Sequence, residues 1–338
     1  MNDIERFIRR LPKAELHLHL EGTILPATLV ELSARHDAQP LTLAEAATLY
    51  RFTDFTGFLD AFRAVTRRLT EPEDYELIAW RMMERLAAQG VVHAEVFIAV
   101  GVIYLWRNHD PAAFEPIFAA LECARERGER ELGLSVHWIF DAVRHFTVAE
   151  AERVFLKAGE LRPRYPSIVG IGLGGDERRA GSEPFRELYA EAAEAGLRLT
   201  NHAGETTGPE AIREALSIGS ERIGHALSAV KDYHLMEELK ERGIPLEMNL
   251  TSNLRTGICP SLAAHPLRRY FERGLLVSLN SDDPAFFGSD LANEYLLAHT
   301  ELGFTREELR QLAANSFHAS FLDADSKAAW LARVFATE

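Results

Sequence analysis

Four polar clusters in this chain each stand at the C-terminal end of a short apolar run. They are Glu15-Leu16-His17-Leu18-His19-Leu20-Glu21-Gly22, Thr200-Asn201-His202-Ala203-Gly204-Glu205, Ile223-Gly224-His225 and Leu279-Asn280-Ser281-Asp282-Asp283. Apolar, β-branched runs of this length read as buried strands. Eight of them alternate with helical segments, at residues 15–20, 92–98, 134–140, 168–173, 197–202, 222–225, 245–249 and 275–280. The helical stretches 182–195, 208–216, 233–242 and 265–273 lie between or just before such strands, and Gly196, Gly243 and Gly274 stand where a left-handed C-cap is wanted. Eight strands with helical crossovers predict an α/β fold, a (β/α)₈ TIM-type barrel, whose usual size is about 250 residues. Barrel active sites lie at the C-terminal strand ends, where these polar clusters fall.

The 338 residues exceed that size. The surplus falls mainly at 21–89, which reads as a helical insertion after strand one, while 285–338 read as closing helices. The whole chain, 1–338, is expected to be one catalytic barrel domain. Residues 54–62 carry Phe55, Phe58 and Phe62 at helical spacing. Two readings are open for them: an insertion that packs on the barrel, or a lid that covers the pocket mouth and excludes water.

A hydrophobic content of 47% supports a large core, and the formal net charge of -14 disfavours nucleic acid and anionic membranes as partners. Cys123 and Cys259 are the only cysteines, far apart, so a disulfide framework is not expected. The charged N-terminus lacks the apolar core of a signal peptide. The longest apolar stretch, 91–106, contains His93 and Glu95 and is too short for a bilayer. A soluble cytoplasmic enzyme is expected, with self-association left open.

In a strand, residues i and i+2 face one side, so His17 and His19 point together into the barrel. His202 ends strand five and Asp282 ends strand eight, next to strand one in a closed barrel. Three histidines and a carboxylate suit a catalytic zinc with an open position better than a closed structural site, and iron or another divalent ion would also accept these donors. Bound zinc lowers the pKa of its water to roughly 7. His225 is positioned to take or hold that water's proton, or else to serve as a further ligand or brace. Glu205 suits a proton donor of raised pKa, or a dipole carboxylate for the helix near Gly208. Asp283 cannot easily share the ion with its neighbour Asp282, and so suits a hydrogen bond to substrate, or a turn before Pro284. In the run Gly170-Ile171-Gly172-Leu173-Gly174-Gly175-Asp176-Glu177 the spacing is wrong for a phosphate loop. It allows backbone donation to a flat ligand, or simply a strand-to-helix turn.

Taken together, Glu-Leu-His-Leu-His-Leu-Glu-Gly, His-Ala-Gly-Glu, Arg-Ile-Gly-His, Thr-Ser-Asn and Leu-Asn-Ser-Asp-Asp-Pro make the chain resemble the adenosine deaminase family of metal-dependent hydrolases, from Leu11 to about Ala319. It is not similar to the cytidine-type zinc deaminases, whose Pro-Cys-x-x-Cys motif is absent. The resemblance implies one zinc ion held by His17, His19, His202 and Asp282, Glu205 as the acid at purine N1, and His225 as the group that activates and orients the water. It implies Asp283 at N7, the Gly175 backbone at N3, and a substrate side that includes His19 and Glu21. The reaction implied is hydrolytic removal of the 6-amino group of a purine nucleoside as ammonia. Departures fall on the sugar side. The usual Asp is Glu21, Asp-Leu-Ala-Gly is Gly172-Leu173-Gly174-Gly175, and His-Gly is His225-Ala226. A 5′-modified adenosine such as aminodeoxyfutalosine would suit these changes, with Arg144 or Arg255 as partner for its carboxylate. Adenosine itself, adenine, or another amide or ester substrate of a metal-dependent barrel hydrolase are the alternatives.

Overall fold

The computed structural model describes residues 2–108 and 110–337, so the two terminal residues of the expected 1–338 domain lie outside the described residues. Its strands are β1 Lys13–His19, β2 Val91–Ile98, β3 Ser135–Val143, β4 Ile168–Gly174, β5 Arg198–Ala203, β6 Arg222–His225, β7 Leu246–Met248 and β8 Val277–Leu279. They lie side by side in chain order, and each neighbouring pair is parallel. Between β8 and β1 the ladder narrows to one bridge. There His19 N donates to Asp282 O at 2.9 Å and Asp282 N donates to His17 O at 3.0 Å. The result is the (β/α)₈ barrel that the alternation of elements predicts.

The last strands are shorter than expected, for local reasons. Pro245 has no N–H for a ladder, and β7 begins after it. Leu275 N is spent on Tyr270 O at 3.1 Å, in the turn that ends the preceding helix. Gly196, Gly243 and Gly274 take φ of +77°, +62° and +79°, the left-handed caps anticipated at these sites.

The chain begins with helix α1 (Asp3–Arg10), and the segment between β1 and β2 forms α2 (Pro26–His36), α3 (Leu43–Thr48), α4 (Phe55–Thr66) and α5 (Pro72–Ala87). Asp54 caps α4 by accepting from Gly57 N at 2.8 Å, and α2 and α5 each start on proline. Phe55, Phe58, Ala61 and Val65 form the buried stripe of α4. Phe58 meets Phe286 and Phe287 with ring centroids 5.7 and 5.1 Å apart, which fixes α4 beside the segment that follows Asp282 and Asp283. The helices Leu291–Leu302, Arg306–Ala319 and Ala324–Ala336 complete the chain. Among the described residues no helix is long and apolar enough to cross a membrane.

Inside the barrel, Arg222 is fully buried and paired with both Glu95 and Glu247. Burial alone would raise the Glu95 carboxyl, but the charges of Arg222 and His93 hold it far below the usual carboxylate range.

Candidate active site

The alternation of β1 turns the rings of His17 and His19 toward the barrel axis, where His202 and Asp282 meet them. His19 Nε2 lies 3.2 Å from His202 Nε2 and 3.4 Å from Asp282 Oδ1, and His17 Nε2 lies 3.5 Å from the same oxygen. His17 Nε2 is buried without a hydrogen-bond partner, whereas Nδ1 is 2.6 Å from Glu247 Oε2. A neutral His17 that donates Nδ1–H to Glu247 leaves the Nε2 lone pair aimed into the cluster. The orphaned nitrogen, the two further imidazoles and the carboxylate fit a divalent metal ion.

Asp282 has a left-handed backbone (φ 63°), a conformation that costs a non-glycine residue energy and persists only when its surroundings enforce it. Ser252 Oγ donates to its Oδ2 at 2.6 Å, while Oδ1 faces the histidines. Burial opposes charge on Asp282, yet the hydrogen bond and charge of His17 keep the carboxyl well below its usual range. Burial also opposes charge on His17, but Asp282 and Glu247 hold its pKa up to about 10. The site is built to stabilise positive charge, whether carried by a proton or by a cation.

One cavity exposes His19, His202, His225, Glu205, Asp282 and Asp283 together. Glu205 lies in the loop after β5, and its N–H donates to Glu177 Oε1 at 3.2 Å. Burial, then the charges of Asp282 and Glu177, raise the Glu205 carboxyl well above its usual range, so it keeps its proton. His225 ends β6 with φ 64°, followed by Ala226 at φ 48°. The side-chain nitrogens of Asn249 and Asn253 sit 3.1 and 3.0 Å from His225 Nδ1, and its Nε2 faces Asp282 Oδ2 at 3.9 Å. Burial lowers the pKa of His225 to about 3, which leaves the ring neutral.

Asp283 Oδ1 is buried and unpartnered, and burial followed by the neighbouring Asp282 charge raises its carboxyl well above the usual range. A Cβ at position 22 would stand 2.1 Å from that oxygen, so only glycine admits Asp283 there. Gly175 lines the cavity with φ +91°, and a Cβ on it would stand 2.7 Å from His145 Nδ1.

Glu21 departs from expectation. It is buried but does not line the cavity, and its oxygens lie 3.2 and 3.4 Å from Ala99 N, where they brace the turn after β2. Arg144 is likewise turned inward, its Nη2 donating to Leu173 O at 3.1 Å and Asn201 Oδ1 at 2.9 Å. Arg255 is outside the cavity and lies over the Phe52 ring. Two carboxyl groups escaped the sequence reading. Glu247 supports His17, and its only signal is a charge inside the apolar run of β7. Asp141, on β3, lines the cavity, its Oδ1 unpartnered and its pKa raised to about 8 by burial. A Cβ on Gly172 would stand 2.6 Å from Asp141 Oδ1, and one on Gly174 2.9 Å from Oδ2. The glycines of β4 make room for this side chain.

The family model described as adenosine deaminase matches residues 12–337. An aminodeoxyfutalosine deaminase of Streptomyces coelicolor is 40% identical over 329 residues, 96% of this chain and 84% of that protein. The crystal structure of an adenine deaminase from Arthrobacter aurescens superposes with a TM-score of 0.90 at 33% identity, covering 96% of this chain and 98% of the other. An amidohydrolase from Burkholderia ambifaria with bound Zn gives a TM-score of 0.89 at 29% identity over 99% and 93% of the two chains. Fold, site geometry and these likenesses agree: the chain belongs to the adenosine deaminase family, hydrolytic deaminases of the amidohydrolase superfamily.

Proposed function

We propose that this protein deaminates a 6-aminopurine nucleoside with one zinc ion per chain, and that its preferred substrate carries an extended 5′ group, as aminodeoxyfutalosine does. The reading is carried by one observation: Glu205, Asp283 and Gly175 open onto the same cavity as His19, His202 and Asp282. The zinc-bearing relative supports the choice of ion. Zinc held by His17, His19, His202 and Asp282 would lower the pKa of a water to about 7 and so supply a nucleophile.

The chain's own groups account for the rest. Glu205 gives its proton to ring N1, which makes C6 electrophilic. Asp283, kept protonated, donates to N7, and the Gly175 N–H donates to N3. His225 Nε2 orients the attacking water and stabilises the charge that develops on oxygen as C6 becomes tetrahedral; one water proton returns to Glu205, and the other passes to the amino nitrogen as the C6–N bond breaks and ammonia leaves. Helix α4 serves as a lid of one catalytic barrel domain, its phenylalanines keeping water out of the cavity mouth.

The relative that is 40% identical supports the 5′-extended nucleoside. The adenine deaminase structure supports a second reading, in which the free base is the substrate. Ammonia release and the ultraviolet change on adenine, adenosine, 5′-methylthioadenosine and aminodeoxyfutalosine test both. Highest kcat/KM on a 5′-extended nucleoside is expected; a maximum on adenine overturns the nucleoside reading.

A further inference from the structure

With C6 of the purine at the histidine cluster, and Glu205, Asp283 and Gly175 around the ring, the substituent on N9 must leave toward the cavity mouth. That mouth is apolar. Phe55, Phe58, Leu59 and Phe62 of α4 line the cavity together with Val102, Val143 and Phe146. A ribose alone gives such a wall little to bind, whereas an aromatic or aliphatic extension buries surface against it.

One cation stands in this wall. Arg63, in the last turn of α4, is the only lysine or arginine among the described residues that line the cavity. Its guanidinium makes no ion pair or hydrogen bond among the described residues, in contrast to Arg144, which is held by acceptors of β4 and β5. His145, which lines the same cavity, feels the positive charges of Arg179, Arg144 and Arg63 against the single negative charge of Asp176. The acidic side chains of the cavity, Glu205, Asp141, Asp282 and Asp283, are buried, whereas Arg63 is solvent-exposed.

We propose that Arg63 determines specificity by pairing with a carboxylate at the far end of an apolar or aromatic 5′ extension of the substrate. A planar guanidinium matches a carboxylate in bidentate fashion, and the phenylalanines beside it carry the hydrophobic part of the extension. The inference rests on the nucleoside reading above and deepens it.

The test compares aminodeoxyfutalosine with its methyl ester as substrates of the metal-loaded wild type and of the Arg63→Gln and Arg63→Lys variants, at low and high salt. In the wild type the acid should be preferred, and Arg63→Gln should cut the acid-to-ester ratio of kcat/KM by about 10-fold, through KM. Arg63→Lys should restore part of the ratio, and added salt should erode it in the wild type. A helix merely loosened by the substitution would lower both substrates together and leave the ratio unchanged. Equal preference for the acid in wild type and Arg63→Gln overturns the assignment, as does a wild type indifferent to the ester. Turnover of adenine with none of any nucleoside overturns the nucleoside reading itself, and the role of Arg63 with it.

Discussion

His17 and Glu247 meet at 2.6 Å inside the barrel, and Glu247 continues through Arg222 to Glu95, so a buried line of alternating charge runs beneath the histidine cluster. A carboxylate at His17 Nδ1 favours the tautomer with a free Nε2 lone pair and would raise its basicity toward a metal. Glu247→Gln should weaken metal binding by about 10- to 100-fold. Competition with a chelator measures this, and unchanged affinity would remove Glu247 from the metal's support.

The Glu95–Arg222 pair also sets acid stability. The folded pKa of Glu95 lies below its ordinary value of 4.5, so its contribution is complete above that pH and is lost as pH falls below it. Glu95→Gln leaves Arg222 short of one partner in a dry environment and should cost about 3–5 kcal/mol at neutral pH. Urea unfolding at a series of pH values should also show a shallower loss of stability below pH 4.5 in the variant. An unaltered acid limb would mean that other carboxylates govern it.

Glu205→Gln retains the size and hydrogen bonding of the side chain but cannot release a proton. It should bind metal normally and lose about 10²–10⁴-fold in kcat. Zinc content and steady-state kinetics read the two effects separately, and near-normal turnover would assign the acid to another group.

Gly172 and Asp141 should behave as a coupled pair. Gly172→Ala forces a methyl to 2.6 Å from Asp141 Oδ1 and 2.8 Å from Phe97 Cε1, a clash that should cost about 1–3 kcal/mol. Asp141→Ala should offset part of that cost, giving a coupling of about 1 kcal/mol in a double-mutant cycle of unfolding free energies. Strict additivity would show that Phe97 alone resists the methyl.

The strands and the cluster of histidines with Asp282 were legible because both rest on local pattern. Runs buried on two faces announce themselves as continuous apolar segments, and histidines or aspartates at their ends break that pattern. His17, His19, His202, His225 and Asp282 stand out for this reason. Glu247 breaks its run in the same manner, but its value depends on facing His17 across the intervening strand β8, a relation 230 residues apart in sequence. Asp141 was hidden because its space is defined by what β4 lacks. Where the related pattern has a side chain at 172, this chain has none, and the neighbouring strand fills the gap. The placement of Glu21 was not legible because the turn that follows His19 folds its carboxylate back onto Ala99 N. Arg63 was passed over because an arginine at the end of an amphipathic helix looks like any solvated charge until the helix is seen to roof a cavity.

The barrel's seam gives the ion a mechanical part. Seven strand pairs are joined by ladders, whereas among the described residues the eighth has the single Leu18–Asp282 bridge, helped by side chains: Leu16 N donates to Asn280 Oδ1 at 2.8 Å and Ser281 N to Glu15 Oε1 at 2.9 Å. His17 and His19 stand on one lip of that seam and Asp282 on the other, so a cation bound by all three is a clasp across the first and last strands. Chelation should then unfasten the barrel where its first and last strands meet. The amides of His19 and Asp282 should exchange with solvent sooner than those of the central strands.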